Sequence, residues 1–297
     1  VEKLSWNEML RFATTGNARG GETVTQCRED DYKFLSVFKW EERKGHDILF
    51  KAFWKAFSPF RKRNSRNGVC LIVVTSLYHR TFKEIQNDLL FYWNEIDNQQ
   101  QMQNNHNNYN NSTLPWNSNI LLLSGLPTHT LRRLYKTVDA FVLPTRGEGW
   151  GRPYMEAMSM SLPIIATNWS GPTAFVTNEN GYLLPIHDTL IDAKLDAFPG
   201  HLWANPVEEK LVKIMVHLVN NPNEGAEKGQ KGRKDVVDLW SHEVVGKDLM
   251  KHFNRIAASS SFSLVAAEEE KGQKNKNNAI DPVLSNFDNN MKGKSEL

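Results

Sequence analysis

Short apolar runs alternating with helical patterns restrict this chain more than any other feature. The runs KFLSVF (Lys33 to Phe38), VCLIVVTS (Val69 to Ser76), NILLLSG (Asn119 to Gly125), AFVLPT (Ala140 to Thr145), LPIIAT (Leu162 to Thr167) and GYLLP (Gly181 to Pro185) are nearly continuously apolar. Between them, HDILFKAFWKAF (His46 to Phe57), FKEIQNDLLFYWNEI (Phe82 to Ile96), HTLRRLYKTV (His129 to Val138) and RPYMEAMSM (Arg152 to Met160) read as helices. Strands without a polar side need cover on both faces. The pattern therefore predicts an α/β fold with a doubly wound, Rossmann-like parallel sheet. Ligands of such sheets bind beyond the carboxyl ends of the strands.

The flanks read differently. Residues 1–31 hold the turn-rich GNARGGET and no sustained period, which suggests a linker or the remnant of an upstream domain. The core domain is expected over 32–257. Within it, 11 of the 14 residues from Asn98 to Asn111 are Asn or Gln, so 98–118 is expected to be a disordered polar insertion. Residues 258–297, with EEEKGQKNKNN, are expected to form a flexible tail. The chain begins at Val1 with no signal-peptide pattern after it, which reads as a fragment or a processed chain.

Composition excludes more than it names. The 36 Lys+Arg against 34 Asp+Glu give no global field to gather nucleic acid. The longest apolar runs fall far short of the roughly 20 residues of a membrane-spanning helix. Cys27 and Cys70 suggest neither a disulfide framework nor a zinc cluster, and Cys70 inside VCLIVV reads as a small core residue. The nine histidines show no ligand spacing, so no metal is expected. Trp54, Trp93, Trp203 and Trp240 fall in helical patterns and read as packing residues, whereas Trp150 and Trp169 sit in candidate site loops. Without a G-x-S-x-G elbow or a reactive cysteine context, hydrolysis through Ser or Cys has no footing.

The chemistry concentrates between Ala140 and Pro185. Gly147, Gly149 and Gly151 place a glycine-rich turn between a buried strand and a helix whose Pro153 sits near its first position, a geometry suited to a diphosphate. The dinucleotide pattern G-x-G-x-x-G fails at Arg152 and at Tyr154, and no Walker A sequence occurs. Glu148 lies in the turn and Glu156 eight positions later, in the helix. Acids beside a phosphate site are costly unless hydroxyl donors meet them, which favours a sugar nucleotide over a bare phosphate. Singly, Glu148 also reads as a solvated loop residue and Glu156 as an acid complementing the helix dipole. Lys39, Arg43 and Lys44 likewise read as a solvated basic loop.

The stretch GEGWGRPYMEAMSMSLPIIATNWSGP resembles the E-x7-E region of retaining GT-B glycosyltransferases of the family 4 type, the group 1 glycosyl transferases, with Glu148 and Glu156 as its acids. FLSVFKWEERKGHDILFKAF (Phe34 to Phe53) resembles the opening strand, basic loop and helix of that family's donor domain. The resemblance covers about residues 33–256 and implies the carboxyl-terminal, nucleotide-sugar-binding half of a GT-B fold, acting with retention and without a metal. Carried over by position, Glu148, Lys44 and Lys39 are the catalytic candidates. Glu156, Gly149, Trp150, Gly151, Leu126, Pro127 and Gly171 are the donor-binding ones. Two departures stand out: many relatives have Gly-Arg where this chain has Phe38-Lys39, and often an acid at the position of Ala174.

The implied partners are a nucleotide sugar, a UDP- or GDP-sugar, with no other cofactor, and an acceptor that is a glycan, a lipid or a protein. The acceptor domain of the family lies outside this sequence, so transfer by this polypeptide alone is expected to be weak. An inactive sugar-nucleotide-binding or scaffold module is the rival reading. A GT-B phosphorylase is disfavoured because nothing here identifies its pyridoxal or phosphate site. Sequons begin at Asn110, Asn111 and Asn168, the last beside the proposed cleft, where a glycan would obstruct a donor. A cytoplasmic or cytosol-facing location is therefore expected. The alternative is the ER lumen through the terminal Lys294-Ser295-Glu296-Leu297, one residue from a K-D-E-L signal.

Overall fold

A computed structural model describes residues 1–12, 27–57, 68–77, 79–104, 119–193 and 199–258, with 97–104 in backbone only. Two compact units divide the chain, Val1–Asp238 and Leu239–Leu297. The first holds six parallel strands: β1 (Tyr32–Lys39), β2 (Val69–Ser76), β3 (Ile120–Leu123), β4 (Ala140–Leu143), β5 (Ile164–Thr167) and β6 (Tyr182–Leu184). Their order is β3-β2-β1-β4-β5-β6. The chain winds outward from β1 through β2 to β3, then returns to β4 beside β1 and winds the other way. That reversal is the switch point at which doubly wound sheets open a ligand crevice. In register, β1 meets β2 from Tyr32–Val69 to Lys39–Ser76, and meets β4 at Phe34–Ala140 and Leu35–Phe141.

Full burial explains why the strands carry no polar alternation. Phe34, Leu35, Leu71, Ile72, Phe141, Val142 and Ile164 are at most 1% exposed, and each such side chain contributes about 1.5–3 kcal/mol by leaving water. Helix α2 (His46–Phe57) packs against α3 (Phe82–Asn104) and α6 (Glu208–Asn220). That accounts for its buried Ile48, Leu49, Phe50, Phe53 and Trp54. Trp54 and Trp93 meet edge to face across the α2–α3 seam, with centroids 5.5 Å apart. The start of α3 is fixed by a capping box, Thr81 N–H donating to Glu84 at 2.6 Å and Glu84 N–H to the Thr81 hydroxyl at 3.3 Å.

Several expectations change. Helix α3 continues through Asn104, so the first seven residues of the Asn/Gln-rich segment are helical, and the remainder of 98–118 lies outside the described residues. A short helix α1 (Trp6–Leu10) forms where the sequence shows no period. Its capping box joins Ser5 to Glu8, Met9 is fully buried, and Arg133 on α4 (Thr128–Tyr135) holds both Glu8 oxygens at 3.0 Å. These bonds draw the Glu8 carboxyl down to about 2, first through Arg133 and then through Ser5.

Cys27 and Cys70 are joined in a disulfide, Cα to Cα 5.4 Å, in place of the unpaired core thiol expected for Cys70. The segment before β1 lies against the start of β2, an adjacency across 43 residues that no local pattern reveals. Trp203 lies not in a helix but in β8 (Leu202–Trp203), which pairs antiparallel with β7 (Ile191–Asp192).

Helix α7 (Pro222–Trp240) approaches the turn after α5 (Arg152–Ser159) through glycines. Gly225, Gly229 and Gly232 are its buried residues, and a Cβ on Gly229 would collide with the Ser161 carbonyl oxygen. In the second unit, α8 (His242–Ala257) is capped by Ser241, whose hydroxyl accepts from Val244 N–H at 3.4 Å. Among the described residues no helix is long and apolar enough to cross a membrane.

Candidate functional site

Two loops meet at the switch point. The one after β1 forms a single 3-10 turn, Glu42–Lys44, ended by Gly45 at φ 67°. A Cβ at Gly45 would strike the Pro144 carbonyl oxygen, so only glycine lets this loop close onto the one after β4. Arg146 ties the two together: its N–H donates to the Arg43 carbonyl at 2.7 Å, and its guanidinium grips Asp47 at 2.8 and 2.7 Å and the Glu42 carbonyl at 2.6 Å. Burial would push the Asp47 carboxyl up, but the Arg146 hydrogen bonds and charge carry it below its ordinary range.

Held this way, the basic turn reaches the glycine loop. Lys44 Nζ lies 2.6 Å from Glu148 Oε1, in a pair whose side chains are 11% and 9% exposed. Arg43 approaches the same oxygen at 3.4 Å and donates to the Gly147 carbonyl at 2.5 Å. The Thr145 hydroxyl lies 3.1 Å from Glu148 Oε1. Glu148 is therefore a carboxylate ringed by donors and pinned to the loop it serves.

Beyond the turn, Gly151 has φ 92°, and a Cβ there would sit 2.6 Å from the Tyr154 ring. Gly171 cannot take a side chain either, because a Cβ would meet the Gly149 carbonyl. Its N–H donates to the Glu148 carbonyl at 3.0 Å, and Glu148 N–H donates to the Ser170 hydroxyl at 3.0 Å. Trp150 rests on Phe175 with centroids 5.1 Å apart. Gly147 and Gly149 meet nothing within 4 Å at the Cβ position, so the fold itself requires glycine only at 151 and 171 of this set.

A cleft of about 570 Å³ opens where β1, β2 and β3 end. Lys39, Lys44 and Leu126 line it with Arg43, Thr75 and Pro153. The structure thus brings Lys39, Lys44 and Leu126 to one space, joins Glu148 to it through Lys44, and stacks Gly149 and Trp150 on Gly171. Pro127, exposed at the start of α4, and Glu156 do not line it. Glu156 accepts from the Tyr135 hydroxyl at 3.1 Å, with Arg152 4.0 Å from its other oxygen. Burial first, and then the charge of Glu156, pushes the Tyr135 phenol up, so it remains a donor.

Sequence reasoning missed Thr145, Tyr135 and Arg146. Arg146 carried no signal: it stands in a glycine loop 99 residues from Asp47, and its partner is set by the loop closure at Gly45. Tyr135 carried one, a polar-tipped aromatic ending an amphipathic helix.

Residues 31–197 match the family model described as Glycosyl transferases group 1. The Staphylococcus aureus capsular polysaccharide biosynthesis glycosyltransferase CapM is 27% identical over 127 residues, 42% of this chain and 28% of that protein. The GDP-mannose-dependent monoacylated alpha-(1-6)-phosphatidylinositol monomannoside mannosyltransferase of Corynebacterium glutamicum is 26% identical over 214 residues, 70% of this chain and 43% of that one. The chain thus spans less than half the length of these relatives. Among solved structures, Anabaena HepE in complex with UDP and glucose superposes with a TM-score of 0.51 at 16% identity, covering 76% of this chain and 49% of that one.

Proposed function

The chain belongs to the group 1 glycosyl transferases, and on that footing we propose that it is the donor-binding part of an enzyme that moves a sugar from UDP or GDP to an acceptor, with retention and without a metal. The observation that carries the reading is the Lys44–Glu148 pair, 2.6 Å apart at the carboxyl end of a Rossmann-like sheet, beside a cleft that Lys39 and Arg43 also line. The Anabaena protein was solved with UDP, and the Corynebacterium protein depends on GDP-mannose. Either nucleoside diphosphate suits a cleft with three cations at its edge.

In this reading the diphosphate enters between Lys39, Lys44 and the uncapped start of α5, and Lys44 exchanges part of its contact with Glu148 for a phosphate oxygen. Negative charge grows on the departing β-phosphate as the glycosidic bond breaks, and fixed cations there lower the barrier because they need no reorganisation. Glu148, freed on one side, faces the transferring sugar, while Glu156, steadied by Tyr135, accepts from the ribose hydroxyls. The stacked loops of Gly149 to Gly151 and Gly171 close over the donor through their backbones.

Calorimetric titration with UDP and GDP tests this directly. One of them should bind, and Lys44→Met and Glu156→Gln should each weaken it, the first more than the second. Equal affinity in both variants, or no affinity for either nucleotide, ends the donor-site reading.

A further inference from the structure

The turn that presents Arg43 and Lys44 to the donor cleft presents Glu42 to another, with His46 and Asp47 following at the start of α2. This second cleft has a volume of about 650 Å³, within the usual range of about 300–1,000 Å³ for small-ligand sites. Its far walls are α3, with Phe91 and Tyr92, and the β7–β8 pair, with Asp192 and Trp203. No residue of the proposed catalytic set lines it.

Its chemistry opposes that of its neighbour. Five carboxylates line it, Glu42, Asp47, Asp88, Glu95 and Asp192, against two cations, Lys51 and Arg146. Both cations are already engaged, Arg146 by Asp47 at 2.7 Å and Lys51 by Glu95 at 3.1 Å, while Asp88 is held by Arg80 at 2.8 Å. The surplus of acid repels phosphate, and the cations present are spent. Carboxylates fixed by such pairs keep lone pairs for hydroxyl donors, and hydrogen bonds to a charged acceptor are the stronger kind. Phe91, on the wall of the cleft, is 61% exposed. Trp203 offers a second ring. A ligand matching this surface carries hydroxyls on its edge, C–H groups on its face and no phosphate.

We propose that this cleft binds a neutral glycan chain, away from the reacting centre. Its link to sugar transfer rests on the reading above, but its occupancy does not. The two clefts are joined through Arg146, which holds Asp47 and the Glu42 carbonyl on one side and the Arg43 carbonyl on the other.

The test is calorimetry on the whole chain with three probes, α-1,4-glucotetraose, β-1,4-glucotetraose and α-mannotriose, each with UDP and GDP titrated in parallel. At least one glycan should bind. Phe91→Ala should weaken it about tenfold or more, the loss of one stacked ring, with nucleotide affinity unchanged. Because Phe91 is exposed, that variant tests the site without disturbing the core; Trp203→Ala is the second probe of the same wall. No saturation by any of the three up to about 20 mM overturns the proposal, as do binding indifferent to both substitutions, displacement of the glycan by UDP, or preference for spermidine over every glycan. Glycan binding without nucleotide binding would keep this site and sink the donor reading; nucleotide binding without glycan binding would do the reverse.

Discussion

The donor cleft and the acid-lined cleft share one loop and almost nothing else. Residues 43 and 44 give the first two of its three cations, residues 42 and 47 give the second two of its five carboxylates, and the Arg146 guanidinium lies on the acidic side. A tight turn ended by Gly45 makes this possible, since consecutive side chains of a single 3-10 turn point to different sides. Charge of opposite sign therefore faces two clefts from one short turn, and the proposed ligands divide accordingly, phosphate on one side and hydroxyl on the other. Within one mostly neutral chain, local arrangement does what net charge does not.

The largest expected effect separates the clefts completely. Lys44→Met removes the cation closest to Glu148 and to the proposed leaving group, and donor turnover in the enzyme with its acceptor domain should fall about 10²–10³-fold. Neutral-glycan affinity should not move. A parallel fall in both would show that the two clefts are one extended site.

Next is the residue they hold in common. Arg146→Met strands Asp47 and frees the turn, and should lower unfolding stability by about 2–4 kcal/mol, near the range for breaking a largely buried pair. Urea denaturation measures it. Both affinities should weaken, because the turn then loses its anchor on the β4 loop. If Arg146→Lys restores stability but neither affinity, the bidentate grip rather than the charge positions the turn.

His46 lines the acidic cleft and not the donor cleft. Its ring stacks on Trp40 at 4.6 Å and its Nδ1 lies 3.1 Å from the Tyr92 hydroxyl. Burial, opposed by Asp47 and Asp88, pulls the imidazole down to about 4 from its ordinary 6.5. The unfolded chain therefore binds this proton first, and stability falls as pH drops from about 6.5 to about 4, by about 3 kcal/mol in all. Above pH 6.5 the ring is neutral in both states and contributes no slope. Denaturation midpoints across that window should show the fall, and His46→Asn should flatten it.

What could be read in advance follows the same division. The strands were legible because burial on both faces leaves an uninterrupted apolar run, and α2 and the start of β2 fall where the pattern sets them, at His46 and Val69. Lys44, Glu148 and the glycine loop were legible because a family resemblance runs through them. Helix α7 was not, since its buried face is Gly225, Gly229 and Gly232, and glycines leave no hydrophobic period. The disulfide and the Arg146–Asp47 grip were not legible either, being contacts between segments distant in sequence. The acid-lined cleft is assembled from α2, α3 and the two-residue β7 and β8, elements too short or too far apart to form a motif.

The smallest effect asks how finely the donor side is built. Tyr135 is 2% exposed and donates to Glu156 at 3.1 Å, while Glu156 itself is half-exposed. Tyr135→Phe keeps the ring in its place in the core and removes one donor, so stability should change little. Among the described residues the carboxylate then keeps Arg152 nearby, at 4.0 Å on a side chain that is 87% exposed, and regains the freedom the phenol had taken from it. If Glu156 holds the ribose, ordering it again on binding should cost nucleotide affinity about three- to tenfold, the worth of about 1 kcal/mol for one hydrogen bond to a charged acceptor that water partly replaces. The comparison that decides is with Glu156→Gln: if Tyr135 acts through Glu156, the two substitutions combined should weaken binding by much less than the product of their separate effects. Fully multiplicative effects would mean that Tyr135 merely packs beneath α5, and that Glu156 finds its own orientation when the donor arrives.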